Sequence, residues 1–584
     1  MWPCVPRTSG VTRARGRVSW GPEVREARRL STDLAVALGL FLGTLTLVAV
    51  TIPRYGLTWD EPYYFHAADL HVEWLSRLGR DLVARRPGES LRKDAIEPAW
   101  HWDPSHVPHP PFPRILSGMS RALLSSAIER FTAYRLPTAA LFALMVSVTY
   151  VWMAQVFGRT TGLVSALMTL LTPHLFGHAH FAMTDMPLAA LWWLTAWAFW
   201  RGLESWRWSI AAGALWGLAL ATKFPAILIP VPLLAWAHLY RRREYQNNVI
   251  SMLLVGPTVM VAMNPYLWHD PMARVFEFLY VSASRSTRPG TDFVIFFLGE
   301  YHRSATLPWY YAGLMLVLAL PETILGLAIV GATIGMGSPR AREVRALYVL
   351  SVAAIVGSVL APGAVLHDVT RLLLPVFPFV TGLAGCGLGR LTRWMGDHLE
   401  AWASRRGIVA ARGKLAAAAG ALVLSVPAAD VALHHPYELS YFNRMVGGVQ
   451  GAYERGLEVT SMMEAFTPRF LAFLNDAVPP GAVLNASFGN FMFRYYQRHG
   501  RLRSDIRISD GVDYDYYVLL NRPSAYRRDP LLPVGDPALY VDDPAFAASR
   551  PRLCHAWDPH SAPLILVFTR EDKGCGRLGD GLAK

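Results

Sequence analysis

Through its first three quarters the chain repeats one pattern, an apolar run followed by a short basic stretch, and that pattern limits its fold more than any motif does. A soluble chain of 584 residues divides into domains joined by polar linkers, whereas these runs read as membrane-crossing helices. Composition agrees, with 53% hydrophobic residues, 17% charged residues and 20 Trp. The formal charge of +13 raises the question of nucleic acid. The arginines, however, sit in the N-terminal tail and between apolar runs, not in aromatic-interleaved stripes, so the expected partner is a bilayer and not a nucleic acid.

About eleven spans are expected: Asp33 to Pro53, Leu136 to Phe157, Thr161 to Phe176, Pro187 to Trp200, Ile210 to Thr222, Pro225 to Tyr240, Val249 to Asn264, a Pro-kinked run Trp309 to Met336, Leu347 to Leu360, Leu372 to Leu391 and Leu415 to Pro427. The first is too long for a cleaved signal peptide. With the basic tail (1–32) cytoplasmic, the basic loops at Arg201 and Arg207, Arg241 to Glu244, Arg340 to Arg345 and Arg390 to Lys414 all fall inside, as the positive-inside rule requires. The same parity puts a large first loop (54–135) and everything after Ala428 outside. The fold class expected is therefore a polytopic α-helical membrane protein (33–428) with an outward-facing C-terminal α/β domain (429–584). That domain reads as a helix over "EAFTPRFLAFLNDAV" and strands over "AVLNASF" and "DYDYYVLLN". Cys554 and Cys575, alone in this segment, are expected to pair if it faces an oxidising compartment.

The outer face collects Asp60, Glu61, His109, Asp185, Lys223, Asp270 and Arg371 beside span ends. A charged group costs roughly 2.5–3.5 kcal/mol at mid-span and less at the interface, so several on one face point to a wet cavity. Asp60 and Glu61 open a helix-like stretch, and adjacent helical side chains diverge by roughly 100°, so one of them can aim inward. Such a carboxylate can accept a proton from a hydroxyl; alternatively Asp60 is a helix N-cap, which does not exclude catalysis. Asp185 can cap the helix that Pro187 begins. His174 and His178, at i and i+4, have the spacing of a divalent-metal pair, although no further ligand motif accompanies them and no cofactor is otherwise implied. Lys223 suits a helix C-terminus and can snorkel. Arg371 opens a span on the outer side, against the helix dipole and the charge bias, and a bound anion supplies a reason. The prolines of "VPHPPFPRILSG" force a shaped turn in which His109 can face the cavity.

In order along the chain, "TWDEPYY", "HPPFPRILSG", "RLPTAALFAL", "FAMTDMPL", "ALATKFPAILI", "PWYY" and "TRLLLPVFPF" resemble bacterial members of the protein O-mannosyltransferase-like family of GT-C glycosyltransferases. The resemblance spans roughly Thr51 to Gly389. It implies a glycosyltransferase of the bacterial inner membrane that moves a sugar, with inversion, from a polyprenyl-phosphate carrier to a hydroxyl of a lipid, glycan or protein on the outer side. It further implies Asp60 as the base with Glu61 beside it, Asp185 as an acid that organises the acceptor side, and Arg371 as a ligand of the carrier phosphate. The segment after Ala428 does not resemble the repeat modules of the eukaryotic enzymes. The main alternative, a transporter, should show ionisable groups at mid-span and internal repeats, and the sequence shows neither.

Overall fold

The computed structural model describes residues 22–101, 109–241, 244–284, 294–334, 338–361, 364, 366–405, 412–486, 489–511, 513–526, 551–570 and 572–581. Most of the expected basic tail and the last residues of the chain lie outside the described residues.

Each of the eleven apolar runs is helical, but not each is one bilayer-length helix. Among the described residues four helices are long and apolar enough to cross a membrane: Ser31–Arg54, Arg130–Phe157, Leu374–Trp402 and Ala417–His434. A fifth crossing results only if Tyr311–Leu318 and Glu322–Thr333, bent by 115°, are one broken span. The expected eleven is therefore reached only by counting shorter helices such as Gln246–Ala262, which fall below the roughly 20 residues of a straight crossing. Prolines account for several of the breaks. Pro321 has no N–H to continue the first half of the bent pair, and Pro173 opens a separate short helix after Arg159–Leu170.

Packing sorts the long helices into a centre and a rim. The apolar window of Leu374–Trp402 is 83% buried, while those of Ser31–Arg54 and Ala417–His434 are each 22% buried, leaving Leu34, Leu38, Leu422 and Leu433 exposed for lipid. At the centre, helices Glu322–Thr333 and Phe377–Ser404 meet backbone to backbone. A Cβ on Gly331 would lie 1.9 Å from the Leu383 carbonyl oxygen, and one on Gly387 2.0 Å from that of Leu327, so only glycine permits this contact.

After a two-stranded hairpin, β1 (Val294–Phe297) and β2 (Glu300–Arg303), the remaining strands lie near the C-terminus: β3 (Val483–Asn485), β4 (Arg507–Ile508), β5 (Tyr516–Leu520), β6 (Arg552–Trp557) and β7 (Ile565–Thr569). They form one sheet in the order β4-β3-β5-β7-β6, parallel around β3 and antiparallel around β7. All residues of β5 and β7 are buried, which explains why "YYVLL" and "ILVFT" are continuous apolar runs without alternation. Helices Pro468–Ala477 and Asn490–Arg498 accompany the sheet, and Cys554 is bonded to Cys575. The C-terminal region is fastened to the helical region at several points. Asn443 Nδ2 donates to the carbonyls of Val317 and Leu320 at 2.8 and 2.9 Å, and Arg501 pairs with Glu129 at 2.8 Å.

Candidate active site

The turn "GLTWDE" is held from both sides. Leu57 N–H donates to Tyr496 Oη at 2.7 Å and Trp59 N–H to the Met462 carbonyl at 2.8 Å, so the C-terminal region grips the turn that carries Asp60. Gly56 allows the grip, since a Cβ there would stand 2.6 Å from the carbonyl oxygens of Glu464 and Phe466. Pro62 then starts the helix Glu61–Val83 in its first turn.

Asp60 and Glu61 have parted, as divergent helical directions demand. Glu61 is fully buried: Oε1 accepts from Arg135 Nε (2.7 Å) and Ala182 N–H (2.9 Å), Oε2 from Arg135 Nη2 (2.6 Å) and Thr58 N–H (3.0 Å). Arg135 also donates to the Gly56 carbonyl at 2.6 Å and lies over the Phe181 ring at 5.2 Å. Two charges out of water are tolerable here because geometry and additional hydrogen bonds satisfy both. Arg135, inside the quoted "RLPTAALFAL", was not singled out by sequence reasoning.

Asp60 occupies the N-cap position, yet its side chain makes no capping bond, and Pro62 at N2 has no N–H to offer it. Its carboxylate is 32% exposed and faces Arg371 at 3.8 Å, too far for a hydrogen bond. Burial raises its pKa above the ordinary carboxylate range, and Arg371 opposes that shift. Asp185, Lys223 and Asp368 also act on its charge and complete the cluster.

Asp185 does not cap a helix end. Thr184 holds the N-cap position without a side-chain bond, while Asp185 Oδ1 accepts from Lys223 Nζ at 2.5 Å. Lys223 therefore does not snorkel: it is buried, held at the start of a 3-10 turn, and its charge is spent on Asp185. Asp185 Oδ2 is sealed from solvent and has no partner among the described residues. Arg371 has more company than its sequence position implied. It reaches His367 Nε2 at 2.7 Å and Met462 Sδ at 3.2 Å, and lies 3.8 Å from Asp368, while its Nε is buried with no partner among the described residues. Asp368 in turn accepts from Arg522, just past β5, at 2.9 Å. Burial opposes ionisation of Asp368, but Arg522 and then Arg371 hold its pKa below the ordinary value.

His109 is half-buried in the bend before the helix Phe112–Leu124. Asp270 stands apart as well, exposed and 3.4 Å from Lys93. His174 and His178 lie on one short helix, Pro173–His178. Each ring uses one nitrogen on a carbonyl, of Tyr441 at 3.2 Å and of His174 at 2.8 Å respectively, and among the described residues no group of three or more His, Cys, Asp or Glu side chains is placed to hold a metal. Sequence reasoning missed Asp368, Arg522, Tyr64 and Arg114. Asp368 had a readable signal, an acid three residues before Arg371; Arg522 had none, because only the tertiary fold brings it there.

Residues 108–269 match the family described as dolichyl-phosphate-mannose-protein mannosyltransferase. No curated protein sequence matches the chain. Among solved structures, ArnT from Cupriavidus metallidurans bound to undecaprenyl phosphate is similar at 16% identity and a TM-score of 0.46, over 93% of this chain and 99% of that one. An oligosaccharyltransferase of Archaeoglobus fulgidus tethered with an acceptor peptide aligns at 10% identity and a TM-score of 0.44, over 81% of this chain and 63% of its own. The matched region, a little over a quarter of the chain, contains Arg114, Arg135, Asp185 and Lys223 and several of the motifs that carried the resemblance, so the similarity to protein O-mannosyltransferase-like glycosyltransferases falls on the segment that supplies much of this cluster.

Proposed function

We propose that the chain transfers a sugar from a polyprenyl-phosphate carrier to an acceptor hydroxyl, with inversion, at the end of the helical region where the C-terminal segment docks. In this reading that end faces outward from a bacterial inner membrane, residues 429–584 are the outward-facing domain and the basic tail is cytoplasmic. The observation that carries the reading is the pair Asp60 and Arg371: a partly open carboxylate that accepts no hydrogen bond among the described residues, beside a guanidinium with a sealed, unpartnered Nε.

The two halves of the pair suit the two halves of the reaction. A phosphate is already a good leaving group and calls for a cation, whereas a hydroxyl of high pKa calls for a base. The acceptor oxygen bonds to the anomeric carbon as the carbon–oxygen bond to phosphate breaks. The hydroxyl proton passes to Asp60, and the carrier phosphate stays on Arg371. Entry of the donor separates the two side chains. Glu61, with both oxygens occupied, is a positioning residue that fixes the turn through Arg135. Asp185, oriented by Lys223, offers its second, buried oxygen to a hydroxyl of either substrate, and His109 is assigned to the mouth of the site.

The test is to incubate the purified full-length protein with a short-chain polyprenyl-phosphate sugar labelled in the sugar, together with extracted envelope lipids, glycans and proteins. Label transferred with release of polyprenyl phosphate supports the reading, and label moved intact across vesicles without cleavage makes the protein a transporter.

A further inference from the structure

Arg114 breaks a rule that other deeply buried arginines of the structure keep. Arg135 has Glu61 at 2.6 Å and Arg274 has Glu97 at 2.6 Å, but Arg114, 4% exposed, pairs with no carboxylate among the described residues. Its Nε donates to His71 Nε2 at 3.4 Å, and the other nitrogen of that ring donates to the Ala99 carbonyl at 2.8 Å, so His71 is the neutral acceptor and supplies no negative charge. The guanidinium lies 5.5 Å from the centre of the Tyr64 ring, and its Nη1 is sealed from solvent with no partner among the described residues. Burial pushes the Arg114 pKa down to about 10, a measure of how poorly its charge is compensated.

Tyr64 ties this cation to the cluster. Its N–H donates to the Asp60 carbonyl at 3.0 Å, one helical turn away, and its hydroxyl is also buried with no partner among the described residues. Burial raises the pKa of that hydroxyl, Asp60 adds to the rise and Arg114 opposes it, so the phenol feels both charges. The backbone leaves Arg114 little freedom, because the Phe112 N–H is bonded to the Ala221 carbonyl at 2.9 Å, next to the Thr222 and Lys223 turn. An uncompensated buried charge costs several kcal/mol, and a bound anion removes that cost.

We propose that Arg114 Nη1 and Tyr64 Oη form a second anion subsite beside Asp60, which takes a phosphate ester. The subsite stands on the unpartnered donors; only the identity of the ester, the phosphate of the polyprenyl carrier, rests on the transfer reading. Arg371 and Arg114 then divide the phosphate between them, one reached from the Asp368 side and the other through Tyr64.

Thermal unfolding of the full-length protein in detergent, titrated with a short-chain polyprenyl phosphate, the matching polyprenol and inorganic phosphate, tests it. The wild type should be stabilised by the polyprenyl phosphate and not by the polyprenol. Arg114→Met should weaken that binding about tenfold, the loss of one charge-assisted contact, with a ligand-free melting temperature equal to or above that of the wild type. Tyr64→Phe, which keeps the ring, should weaken it a few-fold and serves if Arg114→Met does not fold. Wild-type affinity in both variants, or in Tyr64→Phe alone where Arg114→Met does not fold, overturns the subsite, whereas the transfer reading survives if Arg371→Ala still loses the carrier. Stabilisation by inorganic phosphate that depends on Arg114, with none from the polyprenyl ester, keeps the subsite and removes the carrier from it.

Discussion

Two acids adjacent in sequence open two different regions. Below Glu61 lies a closed region in which each carboxylate oxygen accepts two hydrogen bonds and the partner Arg135 is 1% exposed. Around Asp60 the region is open: among the described residues the nearest cation is 3.8 Å away, and Tyr64, Asp185 and Arg371 each keep a buried polar atom without a partner. A satisfied ion pair has no capacity left for a ligand, while unmet hydrogen-bonding groups around an accessible carboxylate are what a polar substrate fills. The closed region therefore holds the turn in place so that the open one can react.

The sharpest way to break this division is to neutralise each acid in turn. Asp60→Asn should lower transfer by roughly 10²–10⁴-fold, the usual contribution of an acid–base group, without loss of stability. The sign of the stability effect follows from the raised pKa of Asp60. A group whose folded pKa is raised contributes stability that is present below its unfolded pKa and lost as pH rises through the folded one, so at neutral pH its removal relieves the fold. Turnover near wild type in a well-folded Asp60→Asn protein would place the base elsewhere. Transfer by the wild type should also rise with pH along a limb displaced above the ordinary carboxylate range, because Asp60 must be ionised to accept a proton. A pH–rate profile that is flat from the ordinary carboxylate range to neutrality contradicts this.

Glu61→Gln should show the opposite pattern. It leaves the buried Arg135 without a counter-charge, and breaking a buried pair in this way costs about 3–5 kcal/mol, seen as a lower melting temperature. An unchanged melting temperature with transfer abolished would make Glu61 part of the chemistry and erase the distinction between the regions. Arg371→Ala comes next, with carrier affinity reduced by about 1.5–3 kcal/mol, roughly ten- to a hundredfold, in a titration with polyprenyl phosphate.

The sequence made these regions legible to different degrees. The apolar runs announced the helices, and Asp60, Asp185 and Arg371 could be named because a charge at a span end needs a reason. The number of crossings was harder to read, since hydropathy does not show where prolines such as Pro173 and Pro321 break a run into pieces too short to span. The sorting of Asp60 from Glu61 depended on Arg135, 74 residues further on, and on the Ala182 N–H, neither of which a local pattern can place. Lys223 shows the same limit. Its position at a helix end suggested snorkelling, while the fold turned it inward to Asp185. The antiparallel partners β6 and β7 also went unread, the register being set by contacts across the sheet and not along it.

The smallest predicted effect tests whether the open region extends into the C-terminal segment. Arg522 reaches Asp368 at 2.9 Å and also donates to the Ser461 carbonyl, so it draws Asp368 away from Arg371, which stands at 3.8 Å. Without Arg522, the carboxylate of Asp368 is left to Arg371 alone and competes with the phosphate for it. Arg522→Ala should therefore weaken carrier binding by about 1 kcal/mol, roughly fivefold, with KM raised and kcat nearly unchanged, and Arg522→Lys should restore part of the loss. A merely structural Arg522 predicts a lower melting temperature with KM unaltered. In that case the C-terminal segment would hold the Asp60 turn through Tyr496 and Met462 but have no part in how Arg371 meets its ligand.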